Sequence, residues 1–228
     1  PPLPTPPPLP LQPGPPLRPP LGFSGLDSLA HLRSCVIEIG TPNLRLHVRP
    51  DLGAGVASFE GKLRDGAWAH LLRPAPIGCT WFNDLGCYHL APWSNRIANA
   101  SFPFQSALHH LRPDWPDGTA IHGDIKHRPF TVLDRTPTSV RLLCDAPHAA
   151  GRNWPWAFSC QLRYELRDST LHVDLIVKNT DQSPFPCGVG FHPFWAASLS
   201  HNERAIVTMQ SKGRYPCRDV LPVGTPVH

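Results

Sequence analysis

Three short segments place chemically useful side chains among turn and aromatic residues. The first is Ala91-Pro92-Trp93-Ser94-Asn95-Arg96-Ile97-Ala98-Asn99-Ala100-Ser101-Phe102, and the second is Ala120-Ile121-His122-Gly123-Asp124. The third is Gly188-Val189-Gly190-Phe191-His192-Pro193-Phe194-Trp195. Singly, each admits a structural account. Arg96 can pair with a carboxylate across strands, and His192, standing before Pro193, can simply end a strand. Together, an arginine, two histidines and several aromatics are what a sugar site needs. Aromatic faces stack on the C–H faces of a pyranose, while Arg and His donate hydrogen bonds to its hydroxyls. Histidine also suits proton transfer, because its ordinary pKa of about 6.5 lets it give and regain a proton near neutrality.

Two other constellations carry less. Gly53-Ala54-Gly55 lacks the third glycine of a dinucleotide-binding loop and no helical pattern follows it, so a turn between two strands accounts for it. The thirteen histidines invite a metal. However, His109 and His110 are adjacent and would point to opposite faces of a strand. His122 and His127 are five apart, the wrong parity for one strand face, and no H-E-x-x-H or H-x-H occurs. No metal site and no cofactor is expected, and surface exposure accounts for most of these histidines.

The elements that must hold the three segments read as strands. From about Cys35 onward the periodicity is two. In Leu44-Arg45-Leu46-His47-Val48 the apolar residues share one face. Phe158, Cys160, Leu162, Tyr164 and Leu166 alternate with Ser159, Gln161, Arg163, Glu165 and Arg167. After Asp168-Ser169 the pattern resumes at Leu171, Val173, Leu175 and Val177, which predicts a hairpin. Further strands are expected over Cys35–Ile39, Phe130–Asp134, Ser139–Cys144 and Ala205–Met209. No window carries a capped apolar stripe of helical period. The fold class expected is all-β, a large antiparallel β-sandwich. Twelve of the first twenty residues are proline, which favours an extended polyproline helix or disorder. Such a run can serve as a ligand for an SH3-like module or as an inert leader. The expected plan is a proline-rich leader over residues 1–30 and a β-sandwich domain over residues 31–228.

A hydrophobic fraction of 41% and seven tryptophans support a packed body needing no disulfides. The excess of 21 Lys+Arg over 17 Asp+Glu is small and scattered, so neither a nucleic-acid partner nor a membrane partner is expected. No stretch reaches the roughly 18 apolar residues of a membrane span, and no signal-peptide pattern is visible. The seven cysteines include no C-x-x-C pair and are odd in number, which fits reduced thiols in the cytoplasm better than a secreted framework.

In chain order and approximate spacing, the three segments resemble the aldose 1-epimerase (galactose mutarotase) family. Asn95-Arg96-Ile97-Ala98-Asn99, followed by Phe102, resembles that family's N-R-I motif. Ile121-His122-Gly123 resembles its L-H-G motif, and Phe191-His192-Pro193-Phe194 its H-P-Y-F motif. Tyr215-Pro216 and Leu221-Pro222-Val223-Gly224 resemble its "Y-P … I-P-T-G" stretch. The resemblance covers roughly Cys35 to the end of the chain.

What the resemblance implies is a large antiparallel β-sandwich with an open cleft, interconverting the α and β anomers of a free hexose. His192 would be the general acid at the ring oxygen, and His122 would assist there or orient the sugar. Arg96 would bind hydroxyls, with Asn95 and Trp93 supporting the cleft. The family's glutamate base and sugar-gripping aspartate follow the I-P-T-G stretch, and neither can be mapped onto this sequence. Glu165, on a regular strand face, and Glu203, in a polar turn, are adequately explained as structural residues. The expectation is therefore a sandwich without its last strands, nearly inactive by itself, because a positioned base is worth about 10²–10⁴ in rate. The alternative is a non-catalytic sugar-binding or regulatory protein lacking the base. Smaller departures are Asp124 in place of a second glycine, Phe194 in place of tyrosine, and Pro129-Phe130 near a usual tryptophan.

Overall fold

The computed structural model describes residues 36–145, 151–199 and 204–227. The leader expected over residues 1–30, Cys35 and Glu203 lie outside the described residues.

In chain order the strands are β1 (Ile37–Gly40), β2 (Leu44–Arg49), β3 (Gly55–Lys62), β4 (Trp68–His70), β5 (Cys87–Leu90), β6 (Arg96–Ile97), β7 (Ser101–Phe104) and β8 (Ala107–His110). They continue with β9 (Ala120–Ile121), β10 (Thr131–Arg135), β11 (Ser139–Asp145), β12 (Phe158–Arg167), β13 (Thr170–Asn179), β14 (Gly190–Pro193), β15 (Cys217–Arg218) and β16 (Leu221–Pro222). Short 3₁₀ turns over Phe82–Asp84, Ala98–Ala100 and Ile125–His127 are the helical elements among the described residues.

The protein is all-β, with antiparallel sheets. A six-stranded sheet runs β1-β2-β3-β5-β14, with β4 also pairing β3, and a four-stranded sheet runs β10-β11-β12-β13. The alternation seen in the sequence is the burial pattern of the second sheet. Phe158, Cys160, Leu162, Tyr164 and Leu166 of β12 are buried, as are Val140, Leu142 and Cys144 of β11. These face Ile37, Ile39, Leu44, Leu46, Val48 and Val56 of the six-stranded sheet to form the main core. Each fully buried Leu or Val contributes about 1.5–3 kcal/mol by leaving water, which makes this inter-sheet layer the principal source of stability. The β12–β13 hairpin pairs without a break from Phe158↔Asn179 to Arg167↔Thr170, and Asp168 enters the turn with φ of 50°.

Ala205–Met209, expected as a strand, is irregular. Ala205 donates its N–H to the Ala197 carbonyl, yet the segment joins no ladder among the described residues, and Ile206 and Met209 are exposed. An apolar run becomes a strand only where a neighbour can pair with it.

Candidate functional site

Strand β5 lies between β3 and β14, and its alternation separates two environments. Cys87 and His89 face the sandwich interior, whereas Tyr88 and Leu90 join a smaller cluster with Phe82 and Leu85, against which Phe194 packs. On the inner side, Tyr164 of β12 donates its hydroxyl to the Ala54 carbonyl at 2.5 Å. A tyrosine has one proton to give, so His89 Nε2–H must donate to the Tyr164 oxygen. Burial pushes the His89 imidazole down to about 4 and the Tyr164 phenol well above its usual range. A neutral His89 thus belongs to a bridge between sheets.

The outer side holds the candidate site. Antiparallel pairing sets His192 of β14 opposite Tyr88, and their rings stack at 4.5 Å with planes 14° apart. His122 reaches the same place from a turn seventy residues earlier in the chain. Its ring centroid lies 5.1 Å from that of His192 and 5.9 Å from that of Tyr88. Phe194 closes a further side, 4.8 Å from His192, and the Arg73 guanidinium lies over the Phe194 ring at 3.8 Å.

His122 occupies its place at a backbone cost. Its φ of 57° is left-handed, which disfavours a residue bearing a Cβ by roughly 1–2 kcal/mol. The neighbouring bonds hold it there. His122 N–H donates to the Asn95 carbonyl at 2.8 Å, and β6 pairs β9 through Arg96↔Ile121 and Ile97↔Ala120. Gly123 follows with φ of 76°, and a Cβ there would stand 2.3 Å from the Ala91 carbonyl oxygen. Only glycine permits this approach.

The predicted site residues divide accordingly. His122 and His192 meet directly. Arg96 lies beside them in β6, its positive charge acting on both His122 and Tyr88, and its Nε–H donates to Asp117 Oδ2 at 3.0 Å. Asp117 is itself oriented by the Thr119 N–H and hydroxyl, at 3.0 and 2.6 Å. Burial would raise its pKa, but these Thr119 bonds and Arg96 outweigh that and hold it below the ordinary carboxylate value. Asn95 contributes its backbone carbonyl to His122. Trp93 packs in the main core, donating Nε1–H to the Ala120 carbonyl at 3.2 Å and stacking on Trp154, so it supports β9 from beneath. Asp124 pairs with Arg128 and accepts the Asn153 N–H at 2.9 Å, which gives it a role in loop anchoring. Phe130 is buried in the core.

The electrostatics distinguish the two histidines. Burial, then His192, Lys126 and Arg96, push His122 down to about 3. His192 is lowered more mildly, by burial first and by Arg73. Two imidazoles this close cannot readily both be charged, and His192 is the one that takes up a proton first. The Nδ1 atoms of both are buried without a hydrogen-bond partner. A separate cavity of about 420 Å³, lined by Arg112, Asp114, Asp124, Lys126, His127 and Arg128 among others, includes neither His122 nor His192. No cluster of three His, Cys, Asp or Glu able to hold a metal occurs among the described residues.

Sequence reasoning missed Tyr88, Arg73, Asp117 and Lys126. Tyr88 sits in the run Cys87-Tyr88-His89-Leu90, buried throughout and so lacking alternation. The other three lie outside the motifs, and their charged or ring partners stand well away in sequence: Asp114 for Lys126, Arg96 for Asp117 and Phe194 for Arg73.

The aldose 1-epimerase family model matches residues 36–228. The uncharacterized protein YihR of Escherichia coli is 33% identical over 128 residues, covering 55% of this chain and 41% of YihR. YphB of the same organism is 27% identical over 146 residues, covering 62% of this chain and 48% of YphB. The chain thus spans about half the length of the curated relatives it matches. Among solved structures, a candidate aldose 1-epimerase from Escherichia coli K12 aligns with a TM-score of 0.62 at 26% identity, over 72% of this chain and 52% of its own. A galactose mutarotase related enzyme from Lactobacillus acidophilus aligns with a TM-score of 0.64 at 19% identity, over 81% and 59%, and so supports the fold alone.

Proposed function

Since this chain belongs to the aldose 1-epimerase family, we propose that it serves a sugar isomerase interconverting the α and β anomers of a free hexose. The observation that carries the reading is the pairing of His122 and His192 at 5.1 Å on the outer face of β5 and β14, with Arg96 alongside.

The reaction removes the C1 hydroxyl proton and delivers a proton to the ring oxygen, breaking the bond between C1 and that oxygen. The aldehyde rotates about C1–C2 and recloses on its other face, so substrate and product are isomers and no electrons change hands. No redox cofactor is part of the proposal. His192 is the proton donor to the ring oxygen, because of the two imidazoles it protonates more readily. His122, kept neutral, donates a hydrogen bond and orients the sugar. Arg96 binds hydroxyls, and Asn95 and Trp93 hold the loop that carries it. The proton acceptor at C1 is not assigned to any residue of this chain. Buried free thiols at Cys87, Cys144 and Cys160 fit a reducing, cytoplasmic setting.

Saturation-transfer NMR of galactose and glucose anomers, on this chain and its His192→Ala variant, tests the reading. Exchange above the buffer rate, lost in the variant, is expected of a mutarotase. Buffer-rate exchange in both, with sugar still bound, would favour a sugar-binding protein instead.

A further inference from the structure

We propose that Lys126 is a positioning residue for His122: its buried side chain ties together the backbone on both sides of that histidine and so sets its reach toward His192. The inference rests on the reading of His122 as a site residue.

The Lys126 side chain is 1% exposed, and its Nζ donates to the carbonyls of Ile121 and Gly123, each at 2.6 Å, and to Asp114 Oδ2 at 2.8 Å. Three acceptors around one nitrogen match the three donors of an ammonium. Two of them are the residues immediately before and after His122. The third, Asp114, uses its other oxygen to accept the Ile121 N–H at 2.7 Å. One lysine and one carboxylate therefore hold three of the backbone groups flanking a single left-handed residue.

The clamp is itself anchored. Gly53 donates its N–H to the Arg128 carbonyl, and a Cβ on Gly53 would stand 2.8 Å from the Lys126 carbonyl oxygen, so the turn over Ile125–His127 abuts the connection from β2 to β3. Nζ also lies 5.5 Å from the Phe82 ring centroid and 6.0 Å from that of Trp93. A lysine that merely plugged a cavity would spread its bonds over unrelated carbonyls. Here every bond of Nζ goes to the turn that presents His122 or to the carboxylate gripping that turn.

The charge has a second effect. Groups bearing on the His122 imidazole are His192 from β14, Tyr88 from β5, Arg96 from β6 and Lys126 itself, with Asp114 and Asp117 as the paired carboxylates behind the last two. A cation near an imidazole disfavours a second positive charge. The clamp thus keeps His122 a neutral donor as well as fixing its direction.

The test is NMR of the 228-residue chain carrying Lys126→Met, and of the double variant Asp114→Asn with Lys126→Met. The double variant removes both partners, avoiding an orphaned carboxylate if the single variant does not fold. Expected are loss of the cross-relaxation between the His122 and His192 rings and a rise of about one pH unit in the His122 titration midpoint. The contact between the His192 and Tyr88 rings, set by the β5–β14 ladder, should persist. A folded variant in which the His122–His192 contact and the His122 midpoint are unchanged overturns the proposal. So does a variant in which both ring contacts vanish together, since that reports general loosening. These readouts need neither sugar nor turnover. A wild-type chain without anomer exchange would count against the functional reading alone.

Discussion

His192 stacks on Tyr88 because the two are register partners in neighbouring antiparallel strands, with centroids 4.5 Å apart. The orientation of the proposed acid is therefore set by a ladder of backbone bonds and by one aromatic platform. Offset stacking of this kind adds about 0.5–1.5 kcal/mol beyond burial.

Replacement of Tyr88 by Phe should leave that platform in place and change unfolding free energy by less than about 1.5 kcal/mol. Tyr88→Leu should cost about 1–3 kcal/mol through the lost stack and a partial void. It should also broaden the His192 ring resonances, read alongside urea unfolding. Equal stability and equally sharp His192 signals in the two variants would show that stacking does not order the ring.

Tyr164→Phe tests the bridge between the sheets. It strips the partner from His89 Nε2 and from the Ala54 carbonyl, leaving two buried polar groups unmet. Unfolding free energy should fall by about 1–3 kcal/mol. Arg167→Ala, at an exposed ion pair with Glu165, is the control and should change stability by under about 0.5 kcal/mol.

Acid should destabilise the chain through histidines that fold neutral. His89 titrates near 4 in the folded protein and at about 6.5 when unfolded. Below 6.5 the unfolded chain binds the proton first, so stability is complete above that pH and declines as pH falls toward 4. The slope for one histidine is at most about 1.4 kcal/mol per pH unit, or about 3 kcal/mol over the window. His122, held near 3, acts in the same direction, while the exposed His127 is largely screened by water. Chemical denaturation at pH 7, 6, 5 and 4 should show the decline, and His89→Gln should make it shallower by about one proton. An unchanged slope in that variant would rule out His89 as its source.

Two glycines of similar backbone angle separate strain from crowding. Gly118 has φ of 79° and nothing within 4 Å of a Cβ, so Gly118→Ala should cost about 1–2 kcal/mol. Gly123, with φ of 76°, would drive its Cβ into the Ala91 carbonyl, and Gly123→Ala should cost at least about 2 kcal/mol more, or prevent folding. Thermal melts of the two variants make the comparison.

The sequence exposes those parts of the fold in which one strand face is buried and the other wet. Strands β11 and β12 show this in full, and the β12–β13 hairpin could be paired by eye. Strand β5 could not be found this way, because Cys87, Tyr88, His89 and Leu90 are all buried and carry no alternation. His122 and His192 stood out because functional groups rarely sit among glycine, proline and aromatics without reason. The supports behind them were hidden. Lys126 and Asp114 are twelve residues apart and are joined only once the chain has turned, and nothing in residue type distinguishes this lysine from a surface one. Trp93 lies in the same segment as Arg96, yet its indole serves the core.

The pairing of β5 with β14 also bears on which changes of length the gene can accept. Successive residues of a strand face opposite ways, so adding or deleting one residue within 190–193 would exchange His192 for Phe191 or Pro193 on the outer face. Phe191 already packs edge-on against His89 on the other side, at 5.4 Å. Substitutions there adjust the site, whereas a single-codon insertion erases it. The connection over residues 180–187 has no such parity to keep, and length variation should collect in it.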